Sequence, residues 1–281
     1  MRRFIYLTIL LLSLTPVWAS AQSFRQVPGK LASISLGGTQ TGAVAVWGIG
    51  INSGQNIYSF NGLFFDSIPG SLTQISVDGD SVTGINANSD IFSTLGLSGF
   101  TQIAGKLTQV STHGLAAWGI NANGNVFQFQ LTGSGGAFQQ IAGNLVQIAV
   151  DGTSVWGINA NQNVFSYNSN SMQFVQMPGL LTQIAVGGLG AEVWGLNASQ
   201  QIFRFNSNSN AFVQIPGLLK TIAVGGPSGN VGVWGINAAN NVYEFDGTGF
   251  VQVPGQLTQI AVYGDAVWGI NSNQDIFRFE N

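Results

Sequence analysis

The feature that most constrains the fold of this chain is a short phrase that occurs seven times in order. Each copy has a Phe, then a Pro or Ala followed directly by Gly, and a Leu two residues after that Gly. Successive Gly residues lie 35 to 41 residues apart. A period of this size indicates an array of structural repeats that bury their apolar faces against one another. The seven Phe-to-Gly segments are 24–29, 65–70, 100–105, 138–143, 174–179, 212–217 and 250–255.

Each repeat contains four short runs of strand-forming residues, separated by Gly, Asn, Asp or Ser. In the fourth repeat these runs are 145–150, 154–159, 163–167 and 174–177. They alternate in polarity or are continuously apolar, and they are rich in Val, Ile, Phe and Trp, which favours β-strands over helices. Four antiparallel strands in a unit of this length predict one blade of a β-propeller, whose two faces are covered by the neighbouring blades.

The two ends of the chain favour a closed ring over an open solenoid. Segment 24–29 is a fourth strand without three strands before it, and segment 276–281 is a third strand without a fourth. Pairing the two segments would complete one blade and remove the exposed edges that an open array must cap. We therefore predict an all-β fold, a seven-bladed β-propeller of four-stranded antiparallel blades. The N-terminal strand should close the ring by pairing with the C-terminal blade.

The N-terminal segment, residues 1–21, has the pattern of a cleavable signal peptide. Arg2 and Arg3 precede the apolar run 4–14, which is too short to span a bilayer, and small residues at 19–21 form a cleavage site. We predict a secreted or periplasmic protein with a single propeller domain over residues 22–281. No later stretch is apolar for long enough to form a membrane helix, so the chain is not expected to span a membrane.

Charge and composition limit the expected partners. Without Arg2 and Arg3 the chain has six Lys or Arg against eleven Asp or Glu, so nucleic acid is an unsuitable partner. Charged residues make up only 7% of the sequence, and a surface kept wettable by neutral amides and hydroxyls suits a neutral ligand. The chain has no Cys, so its core must stabilise it without disulfides. We expect a monomer.

An enzyme is the least supported class of protein. The sequence has one His and no Cys, so a Ser-His-Asp triad could form only around His113, and a cysteine nucleophile is excluded. His113 occupies a position between first and second strands that Asp78 and Asp151 hold in the neighbouring repeats. A metal site there is conceivable. We nevertheless expect the blades to hold these side chains far apart, and we predict no metal, no cofactor and no catalytic residue.

Structural roles explain most of the recurring residues. Gly follows Pro in five of the seven phrases, which predicts a type II turn with Gly at the position of positive φ. The Phe of each fourth strand and the Leu, Ile and Val of each first strand are expected to fill the space between blades.

Trp and Asn residues are the candidates for ligand binding. The second strand of six repeats carries a Trp, and Thr83 replaces it in the second repeat. An indole there can pack between blades or offer its face to a sugar. The Asn that follows can serve a turn, by bonding its own backbone, or bind sugar hydroxyls. The candidates are Trp47, Trp118, Trp156, Trp194, Trp234, Trp268, Asn121, Asn159, Asn197, Asn237 and Asn271.

Three phrases of the sequence resemble the tectonin-type propeller repeat of lectins. They are Val-Trp-Gly-Ile-Asn, as at 155–159, the strand Asp-Ile-Phe-Arg-Phe at 275–279, and Phe-Val-Gln-Ile-Pro-Gly-x-Leu at 212–219. The resemblance covers essentially the whole of residues 22–281. It implies a non-catalytic, lectin-like protein with several similar sites for glycans repeated on a surface. It also nominates the Trp of the second strand and its Asn as the site.

The alternative interpretation is a rigid scaffold for a protein partner, without a sugar site. Segments of variable length, 37–43, 131–137 and 227–232, would then carry the specificity, because loops can vary while the strands are held. Both interpretations remain open at this point.

Overall fold

The computed structural model describes residues 23–38, 43–52, 54–79, 81–94, 99–114, 116–132 and 135–280. The expected signal peptide, residues 1–21, lies outside this part of the chain. All regular secondary structure in the described part consists of β-strands. None of these residues forms a helix able to cross a membrane. The strands form seven four-stranded antiparallel blades, as predicted, and the first strands of successive blades contact one another around the ring.

The strands follow one another in the same order in each blade. Blade 1 is the second half of β1 with β2 to β4, and each later blade takes the next four strands, until blade 7 combines β25 to β27 with the first half of β1. The bounds are β1 (Ser23–Gly38), β2 (Val44–Gly50), β3 (Asn56–Phe60), β4 (Phe65–Ser71), β5 (Gln74–Asp78), β6 (Ser81–Ile85), β7 (Asp90–Ser93), β8 (Thr101–Lys106), β9 (Gln109–His113), β10 (Ala116–Ile120), β11 (Asn125–Thr132), β12 (Gly135–Asn144), β13 (Gln147–Asp151), β14 (Ser154–Ile158), β15 (Asn163–Asn168), β16 (Gln173–Leu180), β17 (Gln183–Gly187), β18 (Glu192–Leu196), β19 (Gln201–Asn206), β20 (Ala211–Leu218), β21 (Thr221–Gly225), β22 (Gly232–Ile236), β23 (Asn241–Phe245), β24 (Phe250–Gln256), β25 (Gln259–Tyr263), β26 (Ala266–Ile270) and β27 (Asp275–Glu280).

Strand β1 closes the ring. Its first half is the outermost strand of blade 7 and pairs with β27, with Ser23 opposite Glu280 and Val27 opposite Ile276. Its second half pairs with β2 as the innermost strand of blade 1. One strand therefore belongs to the first and the last blade, which joins the two ends of the array by backbone hydrogen bonds and confirms the predicted closure.

The core lies between neighbouring blades, in apolar clusters that repeat around the ring. The Leu after the Pro/Ala-Gly phrase is 1% exposed in every blade. It also explains the Gly of the Trp-Gly phrase, because a Cβ on Gly195 would come within 2.4 Å of the Leu181 side chain. The repeated Leu and Gly thus form one packing unit, in which the missing side chain on the second strand makes room for the Leu.

At five of the seven junctions between blades, a Gln side chain binds the inner edge of the next blade. The innermost strand of a blade has an edge that pairs with no further strand, so its backbone groups need other partners. Gln147 of blade 4 supplies them to Ile184 of blade 5, whose N–H donates to Oε1 at 3.0 Å and whose carbonyl accepts from Nε2 at 3.1 Å. The same two-point contact links four further blade pairs, through Gln74, Gln109, Gln183 and Gln259.

Two blade junctions lack this Gln contact. Ser33 occupies the Gln position of blade 1, and Thr221 occupies it in blade 6. The hydroxyl of Ser33 is buried and has no hydrogen-bond partner within the described part of the protein. Gln contacts therefore link blades 2 to 6 as one series and blades 7 and 1 as a pair. Other contacts hold the seams between these two groups, such as the hydrogen bond from the N–H of Gly264 in blade 7 to the carbonyl of Gly225 in blade 6.

The Pro/Ala-Gly phrases form bulges rather than type II turns, so the predicted turn type is wrong. In blade 4 Val164 pairs with Met177 and Asn163 pairs with Leu180, which leaves Pro178 and Gly179 out of register. The seven Gly residues have φ between +118° and +155°, so the expected positive φ is confirmed. A bulge forms instead of a turn because the chain does not reverse at this point. It continues from the outer strand of one blade to the inner strand of the next.

The two faces of the disc differ in charge. Turns between strands 1 and 2 and between strands 3 and 4 lie on one face, which we call the turn face. All three Lys of the sequence lie on the opposite face, where Lys30 and Lys106 contact Asp275 and Asp90 and Lys220 contacts Asn240. Carboxylates predominate near the turn face, at Asp66, Asp78, Asp151, Glu192, Glu244, Asp246 and Asp265.

Candidate functional site

Five of the six candidate Trp residues are buried in the seams between blades. Trp194 of blade 5 is 0% exposed and meets Phe245 and Phe250 of blade 6 edge-on, at centroid distances of 4.8 and 5.9 Å. The same arrangement recurs at Trp118, Trp156, Trp234 and Trp268. These indoles are buried against rings of the next blade, so the structure favours packing between blades, the other role considered for them. Trp47, which meets Phe100 at 6.2 Å, is half-buried.

The candidate Asn residues serve the turns between second and third strands. The Oδ1 atom of Asn159 accepts the backbone N–H groups of Asn161 and Asn163, both at 3.0 Å. Asn121, Asn197, Asn237 and Asn271 make the equivalent pair of hydrogen bonds. Each Asn oxygen is thus committed to the fold, and the turn role considered from the sequence accounts for these residues.

A cleft of about 750 Å³ opens on the turn face where the ring closes. We call it the blade 7–1 cleft. Its apolar wall comes from blade 1, with Val44, Val46 and Phe60, and its floor includes the buried Trp268. Its polar wall comes from blades 6 and 7 and contains Asn230, Tyr263, Asp265 and Arg278.

Local contacts fix the polar wall of the cleft. Asn230 lies in the loop before β22 and donates from Nδ2 to Asp265 at 3.3 Å. The Tyr263 hydroxyl lies against Gly38, where a Cβ would come within 2.0 Å of it. Asn61, at the blade 1 rim, accepts the N–H groups of Leu63 and Phe64 within its own turn. The cleft thus combines amide, hydroxyl, carboxylate and guanidinium groups with a nonpolar wall.

Arg278 is available to the cleft because of one substitution between blades. In blade 5 the matching Arg204 lies over Trp194 and is held by Glu192, with 2.9 Å between Nε and Oε2. In blade 7 Ala266 takes the place of Glu192, so no carboxylate stands opposite Arg278 across this strand pair. The guanidinium of Arg278 lies 5.9 Å from the Trp268 ring and lines the cleft.

His113 lies at the inner end of the turn face, where β9 ends, and it is close to Asp78 and Asp151 of the two neighbouring blades. His113 Nδ1 lies 2.6 Å from Asp151 Oδ1 and 3.6 Å from Asp78 Oδ2. The expectation that blades hold these side chains far apart is therefore wrong, because first strands converge around the axis. No group of three or more His, Cys, Asp or Glu side chains in the described residues has the arrangement of a metal site.

Electrostatics couple the three side chains and Tyr263. The hydrogen bond to Asp151 raises the pKa of His113, although burial opposes it. Burial raises the pKa of Asp78, while His113 and the N–H of Gly114 act in the opposite direction. Burial also raises the pKa of Tyr263, and the carboxylates of Asp78 and Asp151 add to this shift. Two partly buried carboxylates thus share one imidazole at the inner end of the turn face.

Of the residues that line the cleft, sequence reasoning had nominated only Trp268 for ligand binding. Asn230, Tyr263, Asp265 and Arg278 are not members of the repeated phrases, and only the three-dimensional closure of the ring places blade 7 beside blade 1. One signal was present in the sequence, since 227–232 was recognised as a segment of variable length. Segment 131–137 was also expected to be a loop, but it lies largely in strands β11 and β12, which are longer than the matching strands of blade 4.

The sequence model of the Tectonin domain family matches residues 15–171, 144–233 and 181–281. The chain belongs to this family. The tectonin phrases seen in the sequence are the seam-forming Trp-Gly strand and the bulge of this propeller. A search of curated proteins finds no match to the chain.

Solved structures similar to this tectonin propeller are distant in sequence. YCF48 bound to D1 peptide is 14% identical with a TM-score of 0.64, over 98% of this chain and 100% of that one. YCF48 from Cyanidioschyzon merolae is 13% identical with a TM-score of 0.69, over 93% and 99%. The β-propeller domain of Cps50 (Swd1) from Myceliophteria thermophila is 8% identical with a TM-score of 0.69, over 92% and 99%. At these identities the likeness establishes the fold alone, that of a β-propeller.

Proposed function

We propose that this tectonin propeller is an exported, non-catalytic glycan-binding protein that holds a neutral saccharide in the blade 7–1 cleft. The observation that carries the proposal is the composition of that cleft. Sugar recognition needs hydrogen-bonding groups for hydroxyls and an apolar surface for the C–H face of the ring. Asn230, Asp265 and Arg278 supply the first, and Phe60 with Tyr263 supplies the second.

The proposal departs from several equivalent sites around the ring. The repeated Trp and Asn residues are used by the seams and the turns, whereas the side chains of the cleft occur together at the closing junction. A smaller cleft of about 370 Å³ in blade 5 contains Arg204, but Glu192 already binds that guanidinium. We therefore propose one principal glycan site for each chain, and avidity would require several chains on one surface.

Export and the lack of catalysis are part of the same proposal. Export is supported by Arg2 and Arg3 before the apolar run and by the small residues at 19–21. The absence of a catalytic role is supported by the ties of His113, whose Nδ1 faces Asp151 and Asp78 rather than a hydroxyl nucleophile. The destination is the periplasm or the medium.

A protein-binding role is the second candidate, and exposed apolar side chains on the turn face favour it. Leu63 and Phe64, at the turn beside the cleft, are 78% and 52% exposed. Exposed apolar groups of this size commonly mark interaction surfaces. YCF48, a propeller of similar architecture, has been solved bound to D1 peptide.

A glycan array tests the proposed function. The chain from residue 22 onward is applied beside the variants Arg278→Gln and Arg204→Gln. The expected result is saturable binding to one class of saccharide that Arg278→Gln weakens about tenfold, equivalent to about 1.4 kcal/mol, while Arg204→Gln leaves it intact. Absence of binding by the folded protein would contradict the proposal and favour the protein-binding role. Equal losses in both variants would contradict a single cleft.

A further inference from the structure

We propose that the turn face over blades 3 to 5 is a docking surface for a positively charged protein segment with apolar side chains. We call this surface the docking sector, and its apolar members are Leu131, Met172 and Leu189. It is separate from the blade 7–1 cleft, so the inference does not depend on glycan binding there.

The docking sector exposes apolar side chains that the fold does not use. Leu131 at the end of β11 is 65% exposed, Met172 between β15 and β16 is 70% exposed, and Leu189 between β17 and β18 is 53% exposed. They belong to three consecutive blades and lie on the same face. Leu131 and Met172 lie at turns between third and fourth strands and Leu189 at a turn between first and second strands, so the docking sector extends from the outer to the inner end of the turn face. Large apolar groups exposed on one face of a protein with so few charges are a typical mark of an interface.

Comparison of two nearly identical turns isolates Met172. The turn Asn168-Ser-Asn-Ser171 precedes Met172 in blade 4, and the turn Asn206-Ser-Asn-Ser209 precedes Asn210 in blade 5. Asn168 and Asn206 accept the same backbone hydrogen bonds, and Met172 and Asn210 have positive φ values of 53° and 50°. This conformation suits Asn and is unfavourable for Met. Folding therefore accounts for Asn210, whereas an exposed Met at the matching position needs another reason.

Leu189 shows the same conflict in the neighbouring blade. Its φ is 58°, which is again unfavourable for an apolar residue other than Gly. Its N–H donates to Asp151 Oδ2 of blade 4 at 2.6 Å, and its backbone lies against Gly152. The apolar side chain is thus held out over blade 4 by a contact to a carboxylate. Backbone strain held by the surroundings is common where a residue serves binding.

Charge identifies the partner as basic. Asp151 accepts the N–H of Leu189 within the docking sector, Asp78 of blade 2 lies at the border of the sector, and His113 stands between these two carboxylates. Glu192, at the start of β18, is already paired with Arg204, so Asp78 and Asp151 carry the charge argument, and all three Lys are on the opposite face of the disc. A segment with Lys or Arg beside Leu, Phe or Met would complement both features. An anionic membrane or an acidic protein would be repelled by the same carboxylates.

A selection from a random peptide display library tests the docking sector. The protein is used as wild type, as a sector variant with Leu131→Thr, Met172→Asn and Leu189→Asn, and as a rim variant with Val175→Thr, Val213→Thr and Val251→Thr. The three Val residues are exposed on matching outer strands, so the rim variant removes comparable apolar surface elsewhere. Asn tolerates positive φ, so the sector variant should fold, and its thermal unfolding midpoint checks this.

The expected result is enrichment of peptides that combine Lys or Arg with apolar residues and that bind more weakly as salt rises. They should bind the wild type and the rim variant alike and the sector variant about tenfold less tightly. Failure to enrich any peptide, or enrichment of acidic or uncharged peptides, would overturn the proposal. Peptides that bind the sector variant as tightly as the wild type would overturn it as well. So would binding of the wild type, but not of the sector variant, to anionic vesicles.

Discussion

His113 of blade 3 donates a hydrogen bond from Nδ1 to Asp151 of blade 4, and the two atoms are 2.6 Å apart. It belongs to a series of contacts across seams. Asp78 of blade 2 accepts the N–H of Gly114 in blade 3, and Asp151 accepts the N–H of Leu189 in blade 5. Four consecutive blades are thereby linked at the inner end of the turn face, in addition to the Gln contacts between first strands.

The first prediction concerns pH. Because Asp151 raises the pKa of His113 above its ordinary 6.5, the folded protein retains a proton there that the unfolded chain has released. The stabilisation by protonated His113 is fully present below pH 6.5, the pKa in the unfolded chain, and it is lost as pH rises through the raised pKa of the folded protein. Urea unfolding at about pH 6 and about pH 8 should therefore show a lower free energy of unfolding at the higher pH.

The matched variant for this test is His113→Asn. It removes the titrating group, so the decrease between the two pH values should shrink markedly. The raised pKa of Asp78 acts in a more acidic pH range. As pH rises above 3.8, Asp78 loses its proton more readily in the unfolded chain than in the folded protein, which lowers the free energy of unfolding. An unchanged decrease in His113→Asn would show that another group causes it and would contradict this assignment.

The second prediction concerns the Gln contacts. Gln147→Ala leaves the N–H and the carbonyl of Ile184 without their side-chain partner in a half-buried place, and it should lower the free energy of unfolding by about 1–3 kcal/mol. Urea unfolding measures the loss. Gln173→Ala, at an exposed position of β16, is the control and should change stability little. Similar losses in the two variants would argue against the specific role of Gln147.

The third prediction concerns the indoles. Trp194→Ala removes a fully buried ring that meets two Phe residues of the next blade, and it should cost about 3–5 kcal/mol. Trp47→Ala should cost clearly less, because Trp47 is half-buried and meets only Phe100 among the aromatic contacts of the described residues. Chemical unfolding of the two variants gives the comparison. If Trp194→Ala kept wild-type stability, the packing role would be contradicted.

The fourth prediction uses the difference between blades 5 and 7. Ala266→Glu would recreate the pair that Glu192 and Arg204 form in blade 5, so Arg278 would be held and the cleft partly filled. The variant should fold normally and lose affinity for the saccharide found on the array, by about tenfold or more. Isothermal titration calorimetry measures the affinity. Unchanged affinity would show that Arg278 does not contact the ligand.

Much of the fold could be predicted because each blade repeats the same local pattern. Seven phrases and two incomplete ends determine blade number and closure, and the Leu and Trp-Gly residues occupy the same place in every seam. The approach of His113 to Asp151 could not be predicted, because it depends on how sharply the first strands converge. The Gln contacts were missed although Gln recurs in the first strand of five blades. A polar residue repeated within a buried strand was the available signal.

The candidate site was harder to predict for the same reason that the fold was easy. Repeated residues serve the contacts that every blade must make, and the Trp and Asn candidates accordingly belong to seams and turns. The cleft depends on residues that differ between blades, such as Ala266 opposite Arg278 and Tyr263 at the ring position of His113. Their proximity follows from ring closure, which joins segments far apart in the sequence.

The central claim is that one cleft at the closing junction, rather than a set of repeated sites, binds the ligand. The most direct test is the stoichiometry of saccharide binding, measured by isothermal titration calorimetry with the glycan found on the array. The account predicts one ligand for each chain and an affinity at least about tenfold lower in Ala266→Glu. Several equivalent ligands for each chain, or an unchanged affinity in Ala266→Glu, would contradict it.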